Sequence, residues 1–291
     1  MELDHGRMSL VDVGTGPVLV LVHGLGGSWR NWEANIPALA KDHRVVALDL
    51  PGFGQSEPYP GEVSVGRYVD TLVDVLDTLG VEQATFVGNS MGGLFTIETA
   101  ARHPDRVDAA VLVSSGGIPL TSLRSRLLTI PQARMMSRLL GMRVARWVIR
   151  RSRRARLFLG GRVFHDASSV DPDLLTVALD GLGARGFESA LAAGADYDGR
   201  VRAAKVSCPT LVLWGSRDPL LPVGMGRELH RLIPGSTLEI WDDTGHCPML
   251  EHPARFSNRI VAFAEQVRSD PRPPVLEAFL PPRHPGEERR P

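Results

Sequence analysis

The sequence predicts an α/β fold, a mostly parallel central sheet flanked by helices, on three observations. Short apolar runs recur at 17–23, 44–49, 84–88, 109–114, 210–215 and 237–242. Most are near-continuous rather than alternating, as strands covered on both faces should be. Helix-like segments lie between them, at 29–40, 64–79, 91–102, 224–233 and 253–267, and this alternation favours a doubly wound sheet. Third, Gly88-Asn89-Ser90-Met91-Gly92 joins an apolar run to a helix-like run with no spacer.

Each element follows in order. The run 17–23 ends at His23-Gly24-Leu25-Gly26-Gly27, whose glycines let backbone N–H groups face a cavity. The run 44–49 leads into Asp49-Leu50-Pro51-Gly52-Phe53-Gly54-Gln55-Ser56, read as a loop-shaping turn. The run 84–88 feeds the glycine-flanked turn, where a Cβ two residues before or after Ser90 would collide. The stretch 94–101 has helix-forming character, and His103-Pro104 stops it. Residues 107–113 then read as a buried strand ending at Ser114-Ser115-Gly116-Gly117. Between 118 and 205 no convincing strand occurs, so this span is expected to be a helical insertion lying over the sheet's C-terminal edge. The runs 210–215 and 237–242 resume the sheet. From 269 to 291 the chain is rich in proline and charge and is expected to be flexible. The predicted organisation is a core of 1–117 and 206–268, a cap of 118–205 and a tail of 269–291.

Composition narrows the function classes. A chain of 291 residues with 43% hydrophobic content and zero formal net charge describes a globular protein, not a nucleic-acid binder. Cys208 and Cys247 are the only cysteines, so no disulfide framework is implied. The first residues carry acids and no apolar core, and no apolar run approaches the roughly 20 residues of a membrane span. The expected location is cytoplasmic. The nine histidines show no metal-ligand spacing, and no cofactor is expected.

The chemistry starts at Ser90. A sharp strand-to-helix turn lifts its hydroxyl above the sheet and aims a helix N-terminus at it. Serine is a poor nucleophile until a base takes its proton, and the base needs a third group to orient it. Both should stand at the C-terminal ends of later strands. Ser216-Arg217-Asp218-Pro219 follows the run 210–215, and Asp242-Asp243-Thr244-Gly245-His246 follows the last. The expected catalytic set is Ser90, Asp218 and His246. Asp242 and Asp243 are rival acids, too close to His246 along the chain to approach it from the far side.

With the elbow, the Asp218/His246 order, the 23–27 loop and the 49–56 turn, the chain resembles α/β-hydrolase-fold enzymes from about residue 8 to 267. The resemblance implies that fold, with the helical cap inserted after its strand 6. It also implies an oxyanion hole formed by the Leu25 and Met91 N–H groups, each donor contributing on the order of 3 kcal/mol in the transition state. Gly24, Asn89 and Cys247 are the expected substrate-binding residues, and His23 a loop-orienting one. The implied activity is a serine hydrolase cleaving a carboxylic ester, lactone or thioester of a small-to-medium apolar substrate. Asn89 before Ser90 also resembles the meta-cleavage-product C–C hydrolases, the alternative reading, though their glycine-proline loop is Leu25-Gly26-Gly27 here and their tryptophan after the histidine is Cys247. A ligand receptor of the same fold with slow turnover is the minor alternative.

Residues 118–165 hold twelve arginines (124, 126, 134, 138, 143, 146, 150, 151, 153, 154, 156 and 162) and no acid, while 166–200 hold seven acids against Arg185 and Arg200. Pairing between the two stretches, attraction of an acidic substrate and peripheral membrane contact are the three readings. For the last, Met135, Met136, Leu139, Leu140, Met142, Trp147, Val148 and Ile149 would supply an apolar face. The expected partner is a small-molecule substrate; oligomeric state is left open.

Overall fold

The computed structural model describes residues 1–119, 131, 133–140 and 142–269. Its strands are β1 (Glu2–Leu3), β2 (Gly6–Arg7), β3 (Leu10–Val13), β4 (Val18–Val22), β5 (Arg44–Leu48), β6 (Ala84–Asn89), β7 (Val107–Val113), β8 (Thr210–Gly215) and β9 (Thr237–Trp241). β1 and β2 form a separate hairpin, and the other seven make one sheet in the order β3-β5-β4-β6-β7-β8-β9. β3 runs antiparallel to β5, and every other pairing is parallel. The six predicted strands are all present, and the structure adds β1, β2 and β3.

Neighbours along each strand point into two different cores. Val20 and Val22 of β4, with Val212 and Trp214 of β8, pack on the face covered by α2 (Val65–Thr78) and α3 (Met91–Arg102). Leu19, Leu21, Leu211 and Leu213 pack on the other, against the 3₁₀ turn Trp29–Trp32, α1 (Ile36–Leu39) and α12 (Pro253–Ser269). This two-sided burial is why the strands read as unbroken apolar runs. α2 begins where the Ser64 hydroxyl accepts from the Arg67 N–H, and it buries Tyr68, Val69, Leu72, Val75 and Leu76 at helical spacing.

One expected helix is divided. The segment 29–40 is a 3₁₀ turn followed by α1, because Pro37 can stand in the first turn of a helix but cannot continue one.

Between β7 and β8 come α4 (described over 133–140), α5 (Arg143–Arg151), α6 (Arg153–Gly160), α7 (Pro172–Gly181), α8 (Phe187–Gly194) and α9 (Arg200–Ala203), with no strand among the described residues. Gly186 donates its N–H to Gly52 O at 2.9 Å, so this span is seated on the loop after β5. The strand that precedes it, β7, is the seventh in chain order and the fifth within the seven-stranded sheet, because β1 and β2 pair outside it. α12 ends at Ser269. Arg124 and Arg126 of the 118–205 span, and the expected tail beyond Ser269, lie outside the described residues.

The strand order positions the site. β4 has β5 on one side and β6 on the other, so the chain leaves it in opposite directions and a crevice opens at the C-terminal ends. The 23–27 loop leaves β4 there, beside Ser90 at the end of β6.

Candidate active site

Ser90 sits between β6 and α3 with φ 55° and ψ −116°, a conformation that costs on the order of 1–3 kcal/mol. The turn is held from both sides. The Ser90 N–H donates to Val113 O (2.9 Å), and its carbonyl accepts from the Gly93, Leu94 and Gly116 N–H groups. A Cβ on Gly88 would overlap the Gly92 carbonyl, and one on Gly92 would overlap the Val22 carbonyl. Gly24 lies so close that its Cβ would stand 2.9 Å from Ser90 Cβ.

Asp218 follows β8 and is fully buried. Its Oδ1 accepts from the Leu220 and Leu221 N–H groups (2.8 and 2.9 Å), and its Oδ2 accepts from His246 Nδ1 at 2.8 Å. Burial pushes this carboxyl up, but the His246 ring and the two N–H donors outweigh it and hold it below its ordinary value. A carboxylate only accepts, so His246 carries its hydrogen on Nδ1, and Nε2 is free to take a proton. The His246 backbone is pinned as well: its N–H donates to Val163 O (3.0 Å), and its carbonyl accepts from Asn89 Nδ2 (3.2 Å).

Ser90 and His246 line one cavity of about 620 Å³, together with Gly24, Leu25 and Met91. The Ser90 hydroxyl makes no hydrogen bond to the ring in this arrangement; such bonds often tighten only with substrate bound. Met91 opens α3, where the first N–H groups have no intrahelical acceptor. The rest of the wall is mostly apolar and comes largely from the 118–205 span, including Met136, Leu140, Phe164, Leu179 and Phe187. Among the described lining residues Arg162 alone carries a full charge, and its guanidinium is stacked 5.5 Å over the exposed Phe158 ring.

The other expected residues divide. Asn89 borders the cavity, yet its amide nitrogen is committed to Val113 O and His246 O, which positions the histidine loop. Cys247 is buried at the cavity wall, and burial pushes its thiol far up, so it is a neutral lining group. His23 donates from Nδ1 to Gly24 O (2.7 Å) and accepts the Leu50 N–H on Nε2 (2.9 Å), orienting its loop. Asp49 does the same for the next loop, accepting from the Trp29 and Gln55 N–H groups. Asp243 points outward, 77% exposed, and does not reach His246.

Sequence reasoning missed Glu251. Its carboxylate accepts from the Gly245 N–H (2.9 Å) on one oxygen and from the His165 and Asp166 N–H groups (2.9 and 3.3 Å) on the other. It thereby ties the loop before His246 to the span above it. The only available signal is an acid five residues past the histidine, at the end of the four-residue helix α11 (Pro248–Glu251).

Four similarities to known proteins bear on this geometry. The chain is 32% identical over 268 residues to the 2-hydroxymuconate semialdehyde hydrolase of Pseudomonas sp. strain CF600, covering 88% of this chain and 90% of that one. Its fold is similar to a meta-cleavage product hydrolase from Pseudomonas fluorescens IP01 (TM-score 0.72, 27% identity, covering 89% and 94%). It is equally similar to the enol-lactonase from Burkholderia xenovorans LB400 (TM-score 0.75, 26% identity, covering 89% and 96%). A family profile described as alpha/beta hydrolase fold matches residues 17–147 and 141–253. With a glycine-flanked serine turn on a mostly parallel sheet and that match along most of its length, this chain belongs to the α/β-hydrolase fold family, and it is a hydrolase.

Proposed function

We propose that the enzyme is a serine hydrolase cleaving an ester-type bond (carboxylic ester, lactone or thioester) of a small-to-medium apolar substrate. The observation that carries this reading is the cavity at Ser90: among the described residues its wall is mostly apolar, and its one full charge is stacked on a surface ring. His246 Nε2 takes the Ser90 proton as Oγ bonds to the acyl carbon. Asp218 stabilises the resulting imidazolium, and the Leu25 and Met91 N–H groups hold the oxyanion. The tetrahedral intermediate collapses, and His246 returns the proton to the leaving alcohol or thiol. Water, activated by the same ring, then breaks the acyl–Oγ bond and frees Ser90. On this reading 118–205 is the cap over a core of 1–117 and 206–268, supplying the substrate-contacting wall. The two free cysteines support a reducing, cytoplasmic location.

A second reading is cleavage of a carbon–carbon bond in an acidic diketone. It is favoured by the 32%-identical relative named a 2-hydroxymuconate semialdehyde hydrolase and by Arg162 at the cavity. A chain-length series of p-nitrophenyl esters, run beside a dienol ring-cleavage product, separates the two. The expected result is the highest kcat/KM on a medium-chain ester, with Ser90→Ala losing about a thousandfold or more in kcat. Full turnover by Ser90→Ala would overturn both readings, and faster bleaching of the dienol than of any ester would replace the first by the second.

A further inference from the structure

The helices between β7 and β8 carry apolar side chains outward as well as inward. Met136 and Leu140 of α4 face the cavity, whereas Met135 and Leu139 are 60% and 48% exposed. On α5, Ile149 is buried, but Val144, Trp147 and Val148, at i, i+3 and i+4, lie open at 69%, 56% and 38%. Three of the eight residues expected to form one apolar face (Met136, Leu140 and Ile149) therefore turn inward, and Val144 joins those that do not. Phe158 of α6 stands 70% exposed. Single exposed apolar residues are ordinary on a soluble protein; a stripe along one helix with an open tryptophan is not.

The charge left unpaired around this stripe is positive. Arg138 and Arg150 pair with Glu188 and Asp180. Among the described residues, the exposed Arg143, Arg151, Arg153 and Arg154 form no ion pair, while Arg134 lies close enough to Glu188 to act on its charge. Arg151 lies 5.0 Å over the Trp147 ring, placing a cation and an amphipathic ring at one level.

We propose that this face docks the enzyme onto an anionic phospholipid bilayer. Open Val144, Trp147 and Val148 suit the acyl boundary, and the unpaired arginines beside them suit the phosphate level above it. A second copy meeting through the same face would bring uncompensated positive charge against positive charge. A nucleic acid would satisfy the arginines and leave the apolar stripe in water. The proposal concerns binding only and does not depend on the bond the enzyme cleaves.

Flotation of the full chain with vesicles tests it, using phosphatidylcholine alone and an equal mixture of phosphatidylcholine and phosphatidylglycerol. Binding is expected to the mixed vesicles, to weaken with added salt, and to fall roughly fivefold for each of Arg153→Ala and Arg154→Ala. Trp147→Ala should weaken it as well. All three side chains are exposed, so an unchanged thermal midpoint certifies the fold of each variant. Equal binding to both vesicle types, or binding indifferent to these substitutions, overturns the proposal. So does a dimer that Trp147→Ala dissociates, or tighter capture of duplex DNA than of mixed vesicles.

Discussion

Glu251 connects the histidine loop to the span above the cavity through three N–H groups, those of Gly245, His165 and Asp166. Burial pushes its carboxyl up, and these donors only partly hold it down. An amide in its place keeps one accepting oxygen but turns an N–H against an N–H. Glu251→Gln is therefore expected to cost about 2 kcal/mol of stability in urea unfolding. It should also lower kcat more than it raises KM, because the group that moves is the proposed base and not the substrate wall. Wild-type kcat in a destabilised Glu251→Gln would reduce the residue to a structural tie. Asn89 acts from the other side, holding the His246 carbonyl, so the ring is fixed through its backbone as well as through Asp218.

At the scale of elements, the elbow tests whether its glycines are needed for space. Gly92 packs against the Val22 and His23 carbonyls, which are backbone and cannot yield as a flexible side-chain tip can. Gly92→Ala is expected to destabilise by about 3 kcal/mol or more. Gly224, inside α10 (Val223–Leu232), has nothing within 4 Å of an added Cβ, so Gly224→Ala should stabilise by about 0.5–1 kcal/mol. Urea midpoints moving the same way for both would refute the steric account. The same elements show where sequence reading succeeds. Strands β4 to β8 are buried almost throughout, so apolar runs reveal them; the elbow and Asp218 stand just past such runs, and His246 follows the partly buried β9 by a short loop. β3 is a four-residue edge strand, Leu-Val-Asp-Val, with no buried residue, and it leaves no such trace. β1 and β2 are two residues each, too short to show a period. Glu251 and the cavity wall were illegible for another reason. Apart from Gly245, the partners of Glu251 lie 85 and 86 residues away, and the wall gathers residues from separate segments, contacts that no local pattern encodes.

For the whole molecule, two buried histidines set how stability responds to acid. His23 and His43 are both fully shielded from solvent. Burial lowers the pKa of each below its ordinary value, against the pull of nearby carbonyls and carboxylates, and for His43 the Arg268 charge adds to the lowering. For His23 the geometry shows why, since a proton on Nε2 would displace the Leu50 N–H that this nitrogen accepts. Both rings bind a proton more readily in the unfolded chain than in the folded one. Stability should therefore fall as pH drops through about 6.5, the unfolded value, and keep falling until each folded pKa is passed. The slope per histidine is at most about 1.4 kcal/mol per pH unit. Asp108 and Glu251 oppose this at lower pH, because their raised carboxyls take up protons earlier in the folded chain. The histidine effect is thus cleanest between about pH 7 and 5.5. Urea unfolding at those two values should show the wild type weakening, with His43→Leu weakening less by up to about 1.4 kcal/mol. Identical losses in the two proteins would mean that His43 charges in the folded state, and its shielding would then have to open without unfolding the core.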